Sequence, residues 1–239
     1  MESQIAHVLA LVVAEPSMRG GAQGTMGLLQ RLCTVAVKAL PAWGSAVSVM
    51  TEDGLRGVAV ASDPASERVD ELQFSLGQGP CMEAYTSSRP VLEADLAAGG
   101  MARWPVYSAA AHDEGVRAVF AFPLQIGAAR LGALELFRQE PGSLSTQEVR
   151  LALTLADVAI TLLIDAQQNV SPGGVIPGLD EALDNRSEVH QAQGMVMVQL
   201  GVSLGDALAR LRAHAFLHNR SLGQVARDVV DRHLRLGNI

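Results

Sequence analysis

Apolar and polar positions along the first two thirds of the chain switch between two periods. From Met26 to Leu40 (MGLLQRLCTVAVKAL) the apolar residues fall at 28, 29, 32, 35, 36 and 40, the three-four spacing of one helix face, and the stripe stops at Pro41. AVSVMTEDGLRGVAVAS (46–62) then gives two short β-branched runs around Asp53-Gly54, a strong hairpin signal. Gly115–Leu124 (GVRAVFAFPL) and Leu131–Phe137 (LGALELF) predict two further strands, with IGAAR between them as the turn. Ser145–Gln167 returns to the helical period and opens with an S-x-x-E capping box, Ser145 and Glu148. Helix, hairpin, linking helices, hairpin, helix is an α+β plan around an antiparallel sheet.

Periodicity fails at QQNVSPGGVIPG (167–178), where three glycines and two prolines punctuate the chain. A loop of that length is uncommon inside a compact domain, so residues 169–179 are read as a linker between a domain at 1–168, with its core at about 20–167, and a second at 180–239. The second is helical throughout. Leu183–Leu200 carries Val189, Ala192, Val196 and Leu200; Leu204–Leu217 carries Leu204, Leu208, Leu211 and Ala215; Leu222–Leu236 carries Leu222, Val225, Ala226, Val229 and Leu236. Ser203 with Asp206, and Ser221 with Gln224, have capping-box spacing at the second and third helix starts. Gly194 sits inside the first of these helices, HQAQGMVM, where glycine costs about 0.5–1 kcal/mol relative to Ala. The small residues Ala192, Ala207, Ala215 and Ala226 suggest that Gly194 marks a close helix crossing, with Met195 and Met197 packed around it. Three short helices bury little alone, which points to a homodimer.

Charge separates the two parts. Residues 180–239 hold seven Arg and seven acids, so the whole net charge of −7 lies before residue 180, while four of the six His lie after it. No apolar run approaches the 18 or more residues of a membrane span, and the first fifteen residues lack the basic leader and cleavage site of a signal peptide. A cytoplasmic chain without a membrane role is expected. Cys33 and Cys81 form neither a disulfide framework nor a metal-ligand spacing, and no metal site is expected. Cys81 follows Gly77-Gln78-Gly79-Pro80, a turn that could place a reactive thiol at a helix start, although a packed thiol is the simpler reading. His112, Asp113 and Glu114 read as a solvated loop, and with no nucleophile at recognisable spacing no catalytic residue is assigned and no enzyme is expected.

Two stretches carry family resemblances. LQFSLGQGPCMEAYTSSRPV (72–91), RWPVYSAAAHDEGVRAVFAFPL (103–124) and LGALELF (131–137), in that order, resemble the GAF sensory domains of actinobacterial regulators, over roughly residues 20–167. The resemblance implies a small ligand held between the sheet and its covering helices, with Cys81, Trp104, Tyr107 and Phe120 as pocket candidates, and dimerisation through the first and last helices. The N-K-x-n-F-x-n-D-E pattern of cyclic-nucleotide-binding members is not evident, and the cofactor, if any, is unknown. RSEVHQAQGMVMVQLGVSLGDALARLRAHAFLHNRSLGQVARDVV (186–230) resembles the ANTAR domain, a three-helix RNA-binding module of bacterial transcription antiterminators: A-x-G-x-x-M at 192–197 and A-x-x-x-L-R at 207–212, then Ala215, Asn219, Leu222, Val225 and Ala226, keep the family spacing. Gln193 stands where the family usually has Lys, which removes one expected phosphate contact.

That resemblance implies binding to hairpins in nascent RNA, with Gln193, Arg212, His218, Asn219, Arg220 and Arg227 as the RNA-binding candidates. Splayed RNA bases are contacted by Arg, Asn and His while basic groups sit on phosphates, so the residue types suit the task. Arg227 could instead pair with Asp231 one turn on. Two other classes compete: a helix-turn-helix DNA-binding regulator with a GAF sensor, and an adaptor that binds protein alone. The third helix offers Asp228 and Asp231 against Arg227 and Arg232, which disfavours duplex DNA.

Overall fold

The computed structural model describes residues 2–17, 23–50, 56–168, 187–218 and 220–237, arranged in two compact units. The first runs α1 (Glu2–Ala14), α2 (Gly24–Ala39), β1 (Gly44–Met50), β2 (Arg56–Ala61), α3 (Pro64–Leu76), α4 (Pro80–Ser87) and β3 (Val91–Glu93). A π-helical turn at Leu96–Gly100 then leads into α5 (Met101–Arg103), α6 (Pro105–Asp113), β4 (Ala118–Ile126), β5 (Ala129–Arg138) and α7 (Thr146–Gln168). The strands form one sheet in the order β2-β1-β5-β4-β3, with every neighbouring pair antiparallel.

Both predicted hairpins form. Val47 lies opposite Val60 and Met50 opposite Arg56, while the Asp53-Gly54 turn falls outside the described residues. The second hairpin is tighter than IGAAR suggests. Ile126 already pairs with Ala129, so the turn is only Gly127 and Ala128, and Gly127 takes φ +55°, the positive φ that primed hairpin turns ask of glycine. The capping box is real: the Ser145 N–H donates to Glu148 Oε2 at 2.6 Å and the Glu148 N–H to Ser145 Oγ at 3.3 Å. A second N-cap was not read from the sequence. Asp63 Oδ1 accepts the N–H groups of Ala65 and Ser66, both at 2.9 Å, at the start of α3.

Successive residues of β4, Val119 to Phe122, are all buried, so both sheet faces are covered. Ser45 faces α2, where it hydrogen-bonds Cys33, and burial pushes the Cys33 thiol up to about 12. Ser48, three residues on, points the other way, toward Asp70 of α3. α2 and α7 pack against β1 and β4, and α4 against β4 and β5. The first residues form a helix that the sequence reading did not assign. α1 packs on α2 and α7, burying Val8 and Val12 and leaving Leu11 and Val13 exposed. No single helix among the described residues is long and apolar enough to cross a membrane.

The second unit is α8 (Ser187–Leu200), α9 (Leu204–Leu217) and α10 (Leu222–Val230). Its core is Val189, Ala192 and Val196 from α8, Ala207, Leu211 and Ala215 from α9, and Leu222, Val225, Ala226 and Val229 from α10. Three expectations need correction. Leu204 stands outside the core of its helix, 51% exposed, and the buried stripe runs through Ala207 instead. α10 stops at Val230 rather than running on to Leu236, because the next stripe positions are Arg232 and His233. Arg232 turns left-handed at φ +61°, the N–H groups of His233 and Leu234 fold back to the Asp228 carbonyl, and Leu236 reaches the core from the following loop.

The third correction concerns Gly194. A Cβ built there meets nothing within 4 Å, so the glycine marks no crossing. It lines an open cleft of about 710 Å³ together with Met195, Val198, Val229 and Leu234. Of the two capping boxes, Ser221 and Gln224 make both bonds at 3.2 Å. Ser203 accepts the Asp206 N–H at 3.1 Å, but its hydroxyl donates to the Asp206 carboxylate instead of completing the box.

Candidate functional site

The corner between α9 and α10 gathers most of the polar candidates. A helix end exposes its last carbonyls and a helix start its first N–H groups, so such a corner is wet and accessible unless something covers it. His218 caps α9, with its N–H bonded to the His214 carbonyl, and its ring lies 4.2 Å, centroid to centroid, from that of His214 one turn back. Partial burial, followed by the nearby His218 and Arg220, holds His214 below the ordinary histidine value. Phe216 and Leu217 project outward at 63% and 73% exposure. They fall off the stripe through 207, 211 and 215, which is why an apolar pair ends on the surface. Arg210 lies half-buried beside His214, Leu217 and Leu236, and its Nη1 has no hydrogen-bond partner among the described residues.

The arginines are less free than the sequence implies. Arg220 donates to Asp228 Oδ2 at 2.6 Å, a pair that spans the length of α10 and is about one third exposed on each side. Arg227 does not pair with Asp231. It grips Glu188 of α8, with Nε and Nη2 on the two carboxylate oxygens at 3.3 and 3.2 Å, and Glu188 raises its pKa further. Bidentate arginine pairs of this kind fix geometry, but at an exposed site they add little stability. Arg212 is half-buried on α9. Asn219 lies outside the described residues.

Gln193 cannot meet a phosphate as placed. It is buried, and its Nε2 donates to the Leu204 carbonyl at 2.8 Å, tying α8 to the start of α9. Asp228 holds Arg220 and Glu188 holds Arg227, so two of the three candidate arginines are already paired. What the sequence reading missed is the His214, Phe216 and Leu217 surface. The run HAFLH was the available signal: two histidines one turn apart, flanking an apolar pair outside the helix stripe.

In the sheet unit the four pocket candidates are not brought together. Cys81, Trp104, Tyr107 and Phe120 are each at most 5% exposed. Cys81 packs with Met50 and Ala133 on one face of the sheet, whereas Phe120 pairs with Leu136 across β4 and β5, on the face that Ser45 shares. Trp104 lies beneath the Arg103 guanidinium, 4.2 Å from its ring centre. Cys81 does open α4, but fully buried rather than exposed. His112 and Asp113 end α6 instead of forming a loop, and Glu114 pairs with Arg68 at 3.5 Å.

Comparison with known proteins places both units. No curated protein matches the chain. Among solved structures, the GAF domain of a phosphoenolpyruvate-protein phosphotransferase from Coxiella burnetii is similar at 16% identity and TM-score 0.51, covering 70% of this chain and 96% of that one. The GAF domain region of a membrane protein from Geobacter sulfurreducens is similar at 16% identity and TM-score 0.50, covering 59% and 93%. At such identities the likeness speaks for the fold alone. The GAF domain family matches residues 26–165 and the ANTAR domain matches residues 178–230. The antiparallel sheet with its helices, followed by a separate three-helix unit, is what those two matches require, and the chain belongs to the GAF domain family, with an ANTAR domain following its GAF domain.

Proposed function

We propose that this chain is a cytoplasmic, signal-responsive regulator of transcription antitermination, whose ANTAR unit binds hairpins in nascent RNA and whose GAF unit receives a small ligand or redox signal. The observation that carries the reading is the α9–α10 corner. An exposed Phe216, the tilted His214 and His218 rings, 4.2 Å apart, and the Arg220 guanidinium all fall within the seven residues 214–220. Splayed bases stack on aromatic and imidazole faces, and arginine meets the phosphates between them. A duplex reader would need a row of free cations along α10, whereas Arg220 and Arg227 are held by Asp228 and Glu188. Dimerisation suits the reading. Leu11 and Val13, on either side of buried Val12 in α1, and Leu153 of α7 leave apolar surface exposed on two helices that pack together, surface available to a second copy. Paired ANTAR units could then hold two hairpins at once, with a gain set by effective concentration.

The decisive comparison is filter binding of the full chain to a two-hairpin RNA, to duplex DNA of equal length and to neither. RNA retention well above DNA retention is expected. Equal retention of both would favour the helix-turn-helix reading, and retention of neither would favour an adaptor that binds protein. Arg220→Ala should weaken RNA binding while leaving the fold intact. If Arg220 leaves Asp228 for a phosphate on binding, the slope of log K against log[salt] becomes shallower by about 0.7–0.9 in the variant. An unchanged slope would leave Arg220 as a structural ion pair.

A further inference from the structure

We propose that Asp70, Cys81 and Glu135 form an interior site for one divalent transition-metal ion, zinc being the best match. The three come from α3, α4 and β5 and converge on one face of the sheet. Each is fully buried, and one ligand atom from each lies within 4.8 Å of the others. Nothing in the spacing of the two cysteines announces this, because the donors are brought together by the fold and not by a local motif.

The surroundings are those of a built ligand shell. The Ser48 hydroxyl lies 2.9 and 2.8 Å from the two Asp70 oxygens, and Gln73 Nε2 donates to Glu135 Oε1 at 2.7 Å. The other end of the same Gln73 amide accepts the Cys81 N–H at 2.8 Å. One side chain thereby aligns two of the three ligands. These bonds fix the orientation of both carboxylates, as outer partners do for the ligands of a metal site. Gly79 completes the arrangement: a Cβ there would stand 2.4 Å from the Gln73 Oε1, so the turn before Cys81 needs glycine for Gln73 to reach it.

Apolar side chains of similar volume would serve a core at least as well as buried acids, so retaining five polar groups here calls for a use. The donor set then selects the ion. A thiolate disfavours magnesium and calcium, two carboxylates disfavour copper(I), and zinc accepts both kinds of ligand. Zinc–sulfur and zinc–oxygen bonds of about 2.3 and 2.0 Å put tetrahedral ligands roughly 3.3–3.5 Å apart, so donors that all lie within 4.8 Å need to close by at most about 1.5 Å. On binding, the Cys81 S–H bond breaks, sulfur keeps the electron pair as it ligates the ion, and the proton leaves to water. Three protein ligands leave a fourth position for water or a small anion, as in zinc sites that exchange ligands. That such an ion is the signal read by the GAF unit rests on the regulatory reading above; the site itself does not.

The test uses the tag-free full chain, unfolded in guanidinium with a chelator, refolded with equimolar Co²⁺ or Zn²⁺ and desalted. One ion per chain is expected by elemental analysis, and the cobalt form should show a near-ultraviolet thiolate-to-cobalt band. Cys81→Ser should abolish the band and reduce retained metal at least tenfold, and Glu135→Gln should weaken binding. Cys33→Ser, which leaves the three ligands in place, should keep both band and metal. Refolding with Zn²⁺ should also raise the wild-type melting temperature above that of the chelator-treated chain, a readout that does not depend on any variant folding. The proposal is overturned by a wild-type chain without band or melting shift, which would mean that the acids hold protons instead, or by a band that survives Cys81→Ser. RNA binding is not measured here, so failure of the metal site and failure of the RNA reading remain separate results.

Discussion

The two units sort polar and apolar side chains in different proportions. The GAF unit draws Ser48, Asp70, Gln73 and Glu135 wholly inside, whereas the ANTAR unit leaves Val198, Leu204, Phe216 and Leu217 outside. Size explains part of the contrast. A domain of about 140 residues has interior to spare for a hydrogen-bonded polar cluster, while three short helices have so little interior that some apolar surface must stay wet or find a partner. Function accounts for the rest under the readings proposed here: one unit encloses its ligand, and the other meets its ligand at a surface.

The contrast can be broken most sharply from the interior of the small unit. Leu211→Ala, at a fully buried position of α9, should cost about 2–5 kcal/mol and unfold the ANTAR helices while the sheet unit keeps its own transition, as followed by calorimetry of the full chain. A single unchanged transition would show that the two units do not melt independently. Phe216→Ala tests the surface. Stability should move by no more than about 0.5 kcal/mol, whereas RNA affinity should fall by about 1–3 kcal/mol if a base stacks there. Affinity equal to wild type would remove Phe216 from the interface.

Two smaller effects sharpen the comparison. Burial pushes the Asp63 carboxyl up, but hydrogen bonds from the Ser66 and Ser62 hydroxyls and from the Ser66 and Ala65 N–H groups outweigh it, so its pKa lies below the ordinary carboxylate value. A folded pKa below the unfolded one gives stability that is fully present above about pH 4 and is lost as pH falls through the folded value. Asp63→Asn should therefore flatten the acid limb of the GAF transition, and an acid limb identical to wild type would contradict the cap. Gly194→Ala should stabilise the ANTAR unit by about 0.5–1 kcal/mol, because the added methyl enters open space and helix propensity improves. Destabilisation would restore the close crossing that the geometry argues against.

Much of the fold was legible because it rests on local rules. The paired strands of both hairpins, the Ser145 cap and most of the buried stripe of α8 follow from local composition and period, although the second turn is shorter than the sequence suggests. The site was less legible because it depends on partners distant in sequence. The sequence offers Arg227 a partner four residues away in Asp231, whereas the fold gives it Glu188, 39 residues away. Glu135 sits in LGALELF, where an alternating strand would expose it; only the second covering layer buries it. Gly194 shows the opposite error, since a small residue in a helix invites a packing explanation that only the neighbouring atoms can refuse.

If the ANTAR unit binds RNA as proposed, the Arg220–Asp228 pair has a consequence for how it meets other nucleic acids. A cell is crowded with ribosomal and transfer RNA, and a module with bare arginines would be occupied by that background before it met its target. Here the guanidinium already has a carboxylate at 2.6 Å, and the last sixty residues carry no net charge. A random phosphate must compete with an acid that is always present, so weak encounters end quickly. An RNA that also supplies a base for Phe216 makes up for the displaced acid. Under the proposed RNA-binding function, the ion pair would set an entry threshold, trading strength of attachment for selectivity among transcripts.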